Sequence, residues 1–258
     1  MKHFPPLRIR RLTLQLKELS IGDAIALANM PEHLSEAECT AFLKAAIESV
    51  TSGPSNPSEW TVQERSLAVA HYLASVLEDG PDFSLGEGRY SDYLDGSVDM
   101  PMDVNHIPVG EIGGDRWEVH HLTGAMTESI ERLLGEVGPL EPRLHWIIGS
   151  MAAQLRRAGE EITELKSDGL FDEWLLKRMN ILIGFPESDF EQLMTAYLAG
   201  QEKLYHLFTL GFNDNGIIIL PKKGGAPGLP GARFPVRSCL SKFSLTMAGK
   251  PHGLSGQP

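Results

Sequence analysis

Apolar and polar residues alternate near the start of the chain. Leu7, Ile9, Leu12, Leu14 and Leu16 interleave with Arg8, Arg10, Thr13, Gln15 and Lys17. This period of two predicts a strand, and the phase slip at Arg10-Arg11 predicts a bulge or two short pieces. From Ser20 the period becomes helical. Ser20, with Asp23 three residues on, predicts a capped helix over 20–29 that ends before Pro31. Ser35-Glu36-Ala37-Glu38 and Thr61-Val62-Gln63-Glu64 read as capping boxes, in which a hydroxyl and a carboxylate each satisfy one amide of the first turn. The first opens a helix carrying Cys39, Phe42, Leu43, Ala46, Ile47 and Val50. The second opens one carrying Leu67, Ala68, Ala70, Tyr72, Leu73 and Val76. Between them, 51–58 is a Gly-, Pro- and Ser-rich loop.

Residues 79–114 show no clear period and are rich in Asp and Gly, which fits a functional loop or a set of short strands and turns. A short strand is predicted over 116–122, then a helix to about 134. Further helices are predicted over 141–158, over 170–183 with Gly184 as its stop, and over 186–198. The apolar run 204–212, the turn Asn213-Asp214-Asn215-Gly216 and the β-branched run 217–220 predict a hairpin, because Asn and Gly accept positive φ at low cost. After Pro221 twelve of 37 residues are Gly or Pro, so regular helix is not expected and the segment reads as extended. The expected architecture is α+β, mainly helical, with a short N-terminal strand, a C-terminal β-hairpin and an extended C-terminal tail. Four consecutive segments follow: 1–78, 79–122, 123–221 and 222–258. Deleting the last is expected to leave the body folded.

Charge adds a second pattern. Residues 1–17 hold five cations (Lys2, Arg8, Arg10, Arg11, Lys17) and no acid, and 222–258 hold six (Lys222, Lys223, Arg233, Arg237, Lys242, Lys250) and no acid. The stretch between them holds twelve basic and thirty-four acidic residues, a net of −22. An acidic body with basic ends suits head-to-tail self-association or an acidic protein partner. Arg8, Arg10, Arg11, Lys222, Lys223, Arg233, Arg237 and Lys242 are the candidate partner contacts. The overall charge of −11 argues against duplex binding, which depends on cations displacing counterions from phosphate. The longest aliphatic run, 24–28, is far short of a membrane span, and no secretory leader is visible. Cys39 and Cys239 do not make a disulfide framework and fit a reducing cytoplasm at the time of synthesis.

Candidate chemistry gathers between 99 and 121. Asp99, Asp103, His106, His120 and His121 are of the types that ligate hydrolytic metals. Their spacing matches no established metal motif, and His120 and His121, being adjacent on a strand, point to opposite faces. No nucleophile elbow or phosphate loop is present; Lys222-Lys223-Gly224-Gly225 runs toward Pro227 rather than a helix. The expected protein is therefore non-enzymatic and without a cofactor. The alternative is a metal-dependent hydrolase using the His/Asp group.

A resemblance narrows the setting. Ile183-Gly184-Phe185-Pro186-Glu187-Ser188-Asp189-Phe190-Glu191-Gln192-Leu193, followed by Leu204-Tyr205-His206-Leu207-Phe208, resembles the C-terminal half of small tailed-bacteriophage baseplate hub and tail-assembly proteins. Arg11-Leu12-Thr13, Leu19-Ser20-Ile21 and Trp60-Thr61-Val62-Gln63-Glu64-Arg65 resemble that family's N-terminal segments. The similarity spans 18–78 and 140–221 and leaves 79–122 and the basic tail without counterparts. Some relatives carry paired cysteines at the terminal hairpin. Here 213–216 contains none, so no zinc ribbon is implied. The resemblance implies a structural or assembly role in the virion tail or baseplate, with other tail proteins as partners. A transient assembly chaperone or helical adaptor is the other non-enzymatic alternative.

Overall fold

The computed structural model describes residues 2–99, 106–160, 169–226, 228–234 and 236–249. Its contacts divide the chain into two compact units: unit 1 is 1–99, 206–211 and 218–258, and unit 2 is 100–205 and 212–217. The units cut across the four consecutive segments read from sequence, because the end of the chain returns to unit 1.

In unit 1, β1 (Leu7–Arg8) and β2 (Thr13–Leu16) are two short pieces on either side of the phase slip, paired antiparallel with Leu7 opposite Leu14. Helix α1 (Ile21–Ala28) starts at Ser20, whose hydroxyl accepts the Asp23 amide at 3.1 Å. Helix α2 (Ser35–Ala46) has Leu34 rather than Ser35 at its N-cap, and Leu34 supplies no side-chain capping bond. The helix also stops earlier than its apolar stripe suggested. Residues 47–52 leave it as β3 (Ile47–Ser52), with Ile47 opposite Leu16 and Val50 opposite Leu14. Both are β-branched, and pairing with β2 outweighs one more helical turn. Helix α3 (Val62–Val76) does carry its box: the Thr61 hydroxyl accepts the Glu64 amide at 3.1 Å, and the Glu64 carboxylate accepts the Thr61 amide at 2.9 Å. The small hairpin of β4 (Ser84–Leu85) and β5 (Gly88–Arg89) leads into the single turn α4 (Tyr90–Tyr93).

Unit 2 is a three-stranded sheet with helices. β6 (His106–Ile112) and β7 (Asp115–His120) pair antiparallel with a bulge between Pro108 and Gly110. α5 (Gly124–Arg132) and α6 (Pro142–Gln154) follow, and the chain then passes into β8 (Leu155–Arg157), which pairs with β7. α7 (Leu170–Ile183) ends at Gly184, and α8 (Glu187–Leu204) follows. Arg132 makes a two-pronged bond to Asp172 at 2.8 Å per prong and ties α5 to α7. His145 on α6 is buried with its Nε2 2.8 Å from the Ile130 carbonyl. Burial holds its pKa below the usual histidine range, against the opposing pull of that carbonyl.

The predicted hairpin is present as β9 (Thr209–Asn213) and β10 (Gly216–Leu220). Asn213 Oδ1 accepts the Asn215 amide at 3.0 Å and Gly216 takes φ 116°, as the Asn-Gly turn requires. Beyond it the expected extended tail is corrected. Ile219 and Ala232 exchange backbone hydrogen bonds of 2.7 and 2.8 Å. Phe234 is buried with its ring centroid 5.6 Å from Phe208, 5.9 Å from Tyr90 and 6.4 Å from Phe83. A 3₁₀ turn (Val236–Cys239) and a helix α9 (Lys242–Met247) follow, with Val236, Cys239 and Leu240 in the unit 1 core. Both cysteines are free thiols.

The fold class is corrected with it. The protein is α+β with nine α-helices and four small sheets among the described residues, rather than helices with one N-terminal strand, one hairpin and a loose tail. The tail folds because its few apolar residues fill a core that the rest of unit 1 leaves incomplete. Among the described residues no helix is long and apolar enough to cross a membrane.

Two outcomes follow from this packing. Phe234→Ala should destabilise the protein by about 3–5 kcal/mol in urea unfolding, and deletion of 222–258 should unfold unit 1, read as loss of its buried-amide protection in hydrogen exchange. His145 binds its proton more weakly in the folded state than in the unfolded chain, so the unfolded state gains protons first as pH falls. Its contribution is complete above roughly pH 6.5 and is lost as pH drops from there toward the lowered folded value. Urea midpoints at pH 7.5 and 5.5 should differ in that sense, and less so in His145→Gln.

Candidate metal centre

The β6–β7 pair places His106 directly opposite His120. Glu118 lies two residues before His120 and therefore on the same face of β7. The three side chains converge. His120 Nε2 is 2.8 Å from Glu118 Oε1, and His106 Nε2 is 3.6 Å from Glu118 Oε2. The two imidazoles stack with centroids 5.2 Å apart and planes 26° apart. Among the described residues this is the one group of three or more His, Cys, Asp or Glu side chains whose donor atoms come close, all within 4.8 Å.

The inner face of the sheet fixes this outer one. Gly200 of α8 lies against it so tightly that a Cβ there would stand 2.4 Å from Val119 Cγ1 and 2.7 Å from Val109 Cγ1. With Val119 held inward, alternation turns Glu118 and His120 outward. The His120 carbonyl is also held, accepting Gln154 Nε2 at 2.7 Å, and Gln154 Oε1 accepts the buried Tyr197 hydroxyl at 2.7 Å. Arg178 on α7 donates to the Ala152 and Leu155 carbonyls, pairs with Glu160 and lies 4.7 Å over the Trp174 ring, which fixes the turn from α6 into β8.

Arg156 on β8 stands opposite Glu118. Its Nε is buried with no hydrogen-bond partner. Burial lowers the pKa of His120 and the Arg156 charge lowers it further, while Glu118 pulls the other way. The net result is a neutral ring near pH 7, with a lone pair available on one nitrogen. The group is thus two imidazoles on one carboxylate. His106 is 48% exposed against 15% for His120, so the cluster opens to solvent on the His106 side.

Of the residues nominated from sequence, His106 and His120 are brought together. His121, one residue beyond β7, is outside the group. Asp99 belongs to unit 1, where its carboxylate accepts the Arg10 amide at 2.7 Å. Asp103 lies outside the described residues. Glu118 was missed, although its i−2 spacing from His120 on a predicted strand was a usable signal. Its partner strand β6 was masked by Pro108 and Gly110, which break the β pattern. The nominated cations also separate. Arg11 and Arg237 are committed inside unit 1: Arg11 to Glu64 at 2.8 Å, and Arg237 to Glu32 and Glu38 at 3.3 Å each and to the Met30 carbonyl at 2.7 Å. Arg8, Arg10, Lys223 and Lys242 are exposed, whereas Lys222 and Arg233 are half-buried.

Comparison with family models, curated proteins and solved structures finds no match to this chain.

The close seat at Gly200 reverses a usual sign. Gly→Ala in an open helix interior stabilises by about 1 kcal/mol. Here the added methyl meets two valines, and Gly200→Ala should instead destabilise by about 1–3 kcal/mol, measured as a lowered thermal midpoint.

Proposed function

We propose that the chain is a non-enzymatic structural or assembly component of a bacteriophage tail or baseplate, carried in the virion, that binds other tail proteins through the cationic surface of unit 1. The observation that carries this reading is the place of the Trp60–Arg65 motif, one of the segments, beside 183–193 and 204–208, that resemble baseplate and tail-assembly proteins. Trp60, Thr61, Gln63, Glu64 and Arg65 are all buried. Glu64 holds Arg11, Thr61 lies 3.0 Å from His206, and Arg65 donates to the Glu36 carbonyl at 2.7 Å. A motif built so deeply into one unit specifies that unit's fold, so chains that share the motif should share the unit.

Charge supports the same reading once it is counted by unit. Unit 1 holds fourteen basic and fifteen acidic residues, net −1; unit 2 holds nine and nineteen, net −10. The near-neutral unit carries both basic ends of the chain, and the acidic excess lies on the other. A partner with an acidic face, a second copy included, is attracted to Arg8, Arg10, Lys223 and Lys242 and repelled by the acidic excess of unit 2.

A hydrolase reading keeps one observation in its favour, the convergence of His106, Glu118 and His120. Its test is zinc-dependent hydrolysis of activated ester or phosphate substrates that disappears in Glu118→Gln.

The structural reading is tested by charge reversal. Arg8→Glu, Arg10→Glu and Lys242→Glu together should leave unfolding unchanged but lower incorporation into tail particles, by an amount that shrinks as salt is raised. Arg11→Ala should behave differently, costing about 3–5 kcal/mol of stability because it leaves a buried carboxylate without its cation. Equal incorporation of the triple variant and the native chain would remove the cationic surface as the contact.

A further inference from the structure

We propose that His106, Glu118 and His120 form a binding site for a single divalent transition-metal ion of the zinc class, with a fourth coordination position open to water. This goes beyond the tail-assembly reading and does not depend on it.

The donor set selects the ion. Two imidazole nitrogens and one carboxylate suit Zn²⁺, Co²⁺ or Ni²⁺, whereas Ca²⁺ and Mg²⁺ prefer oxygen ligands throughout. Three protein ligands with one free position is the arrangement of zinc sites that keep a water.

The spacing is close to that of a bound state. Two donors each about 2.0–2.1 Å from a tetrahedral ion stand roughly 3.3 Å apart. The two imidazole–carboxylate separations, 2.8 Å from His120 to Oε1 and 3.6 Å from His106 to Oε2 of Glu118, lie on either side of that value, and a turn of the carboxylate would bring one oxygen to both rings. The remaining separation, between the two ring nitrogens, is within 4.8 Å and closes by rotation of His106, the half-exposed member. The carboxylate that both rings now face is the group an ion would share with them, and the ion takes the place of the hydrogen between His120 and Glu118.

The site is also supported from behind. His120 is held through its carbonyl by Gln154 and, beyond that, by Tyr197. The cross-strand pairing of residues 106 and 120 belongs to the sheet itself, so two ligands are positioned by backbone hydrogen bonds rather than by a loop. Arg156, opposite Glu118, works against the ion by repulsion and limits its affinity. For the same reason it favours an anion, hydroxide included, at the fourth position.

The test uses the full chain, stripped of metal and titrated with Co²⁺ and then Zn²⁺. One equivalent of Co²⁺ should give the intense visible absorption of a four-coordinate site, and one equivalent of Zn²⁺ should abolish it. His106→Gln, Glu118→Gln and His120→Gln should each lower affinity at least tenfold while far-UV circular dichroism is unchanged. His121→Gln should bind as the native chain does, and Arg156→Gln should bind more tightly. Metal uptake no greater in the native chain than in the His106/Glu118/His120 triple variant would overturn the proposal. So would loss of binding in His121→Gln with retention in His106→Gln.

Discussion

The carboxylate of Glu64 has no exposure to water and accepts hydrogen bonds from the Thr61 amide and from Nε and Nη2 of Arg11. A carboxylate in such a place is stable only while its donors stay, since the cost of burying an unpaired charge exceeds that of most single contacts. The requirement reaches in two directions. Through Thr61 it fixes where α3 begins. Through Arg11 it fixes the break between β1 and β2, because the arginine must leave the strand alternation to reach the carboxylate. The phase slip at Arg10-Arg11 is thus the local mark of a distant partner. Thr61 extends the network to His206, which lies at the return of the chain into unit 1.

Unit 2 rests on a different constraint, the thickness of its sheet–helix contact. Gly200 brings α8 onto Val119 and Val109 at a distance that admits no side chain. That contact decides which face of β7 is buried. Because side chains alternate along a strand, it also decides that Glu118 and His120 share the outer face. The candidate metal centre is therefore a by-product of core packing on the far side of the same strand.

Several elements were legible and several were not, for identifiable reasons. The Thr61 capping box, the Ser20 cap and the Asn-Gly hairpin turn depend on residues a few positions apart, and each forms as read. The ends of α2 and α6 were misread in the same way. In each, an apolar stripe continues past the helix, but its last residues are taken by a strand, β3 against β2 and β8 against β7. Period alone does not distinguish one more turn of helix from the first residue of a strand when the partner strand is distant in sequence. The tail was misread because Gly and Pro content reports the cost of ordering a chain and says nothing of a waiting cavity. Phe234, Val236 and Leu240 supply enough burial to offset that cost.

Charge and ligand chemistry divide along the same line. The sequence by itself determined that the ends of the chain are basic and the middle acidic, and that histidines and carboxylates cluster near residue 110. Only the tertiary structure decided which of those groups meet. It took Arg11 and Arg237 into internal ion pairs, left Arg8, Arg10, Lys223 and Lys242 exposed, replaced Asp99 and His121 by Glu118 beside His106 and His120, and put both basic ends on one near-neutral unit. The physical reason is range. Caps, turns and alternation are settled within a few residues by backbone geometry, whereas ion pairs and ligand sets are settled by register and packing between segments far apart in the chain.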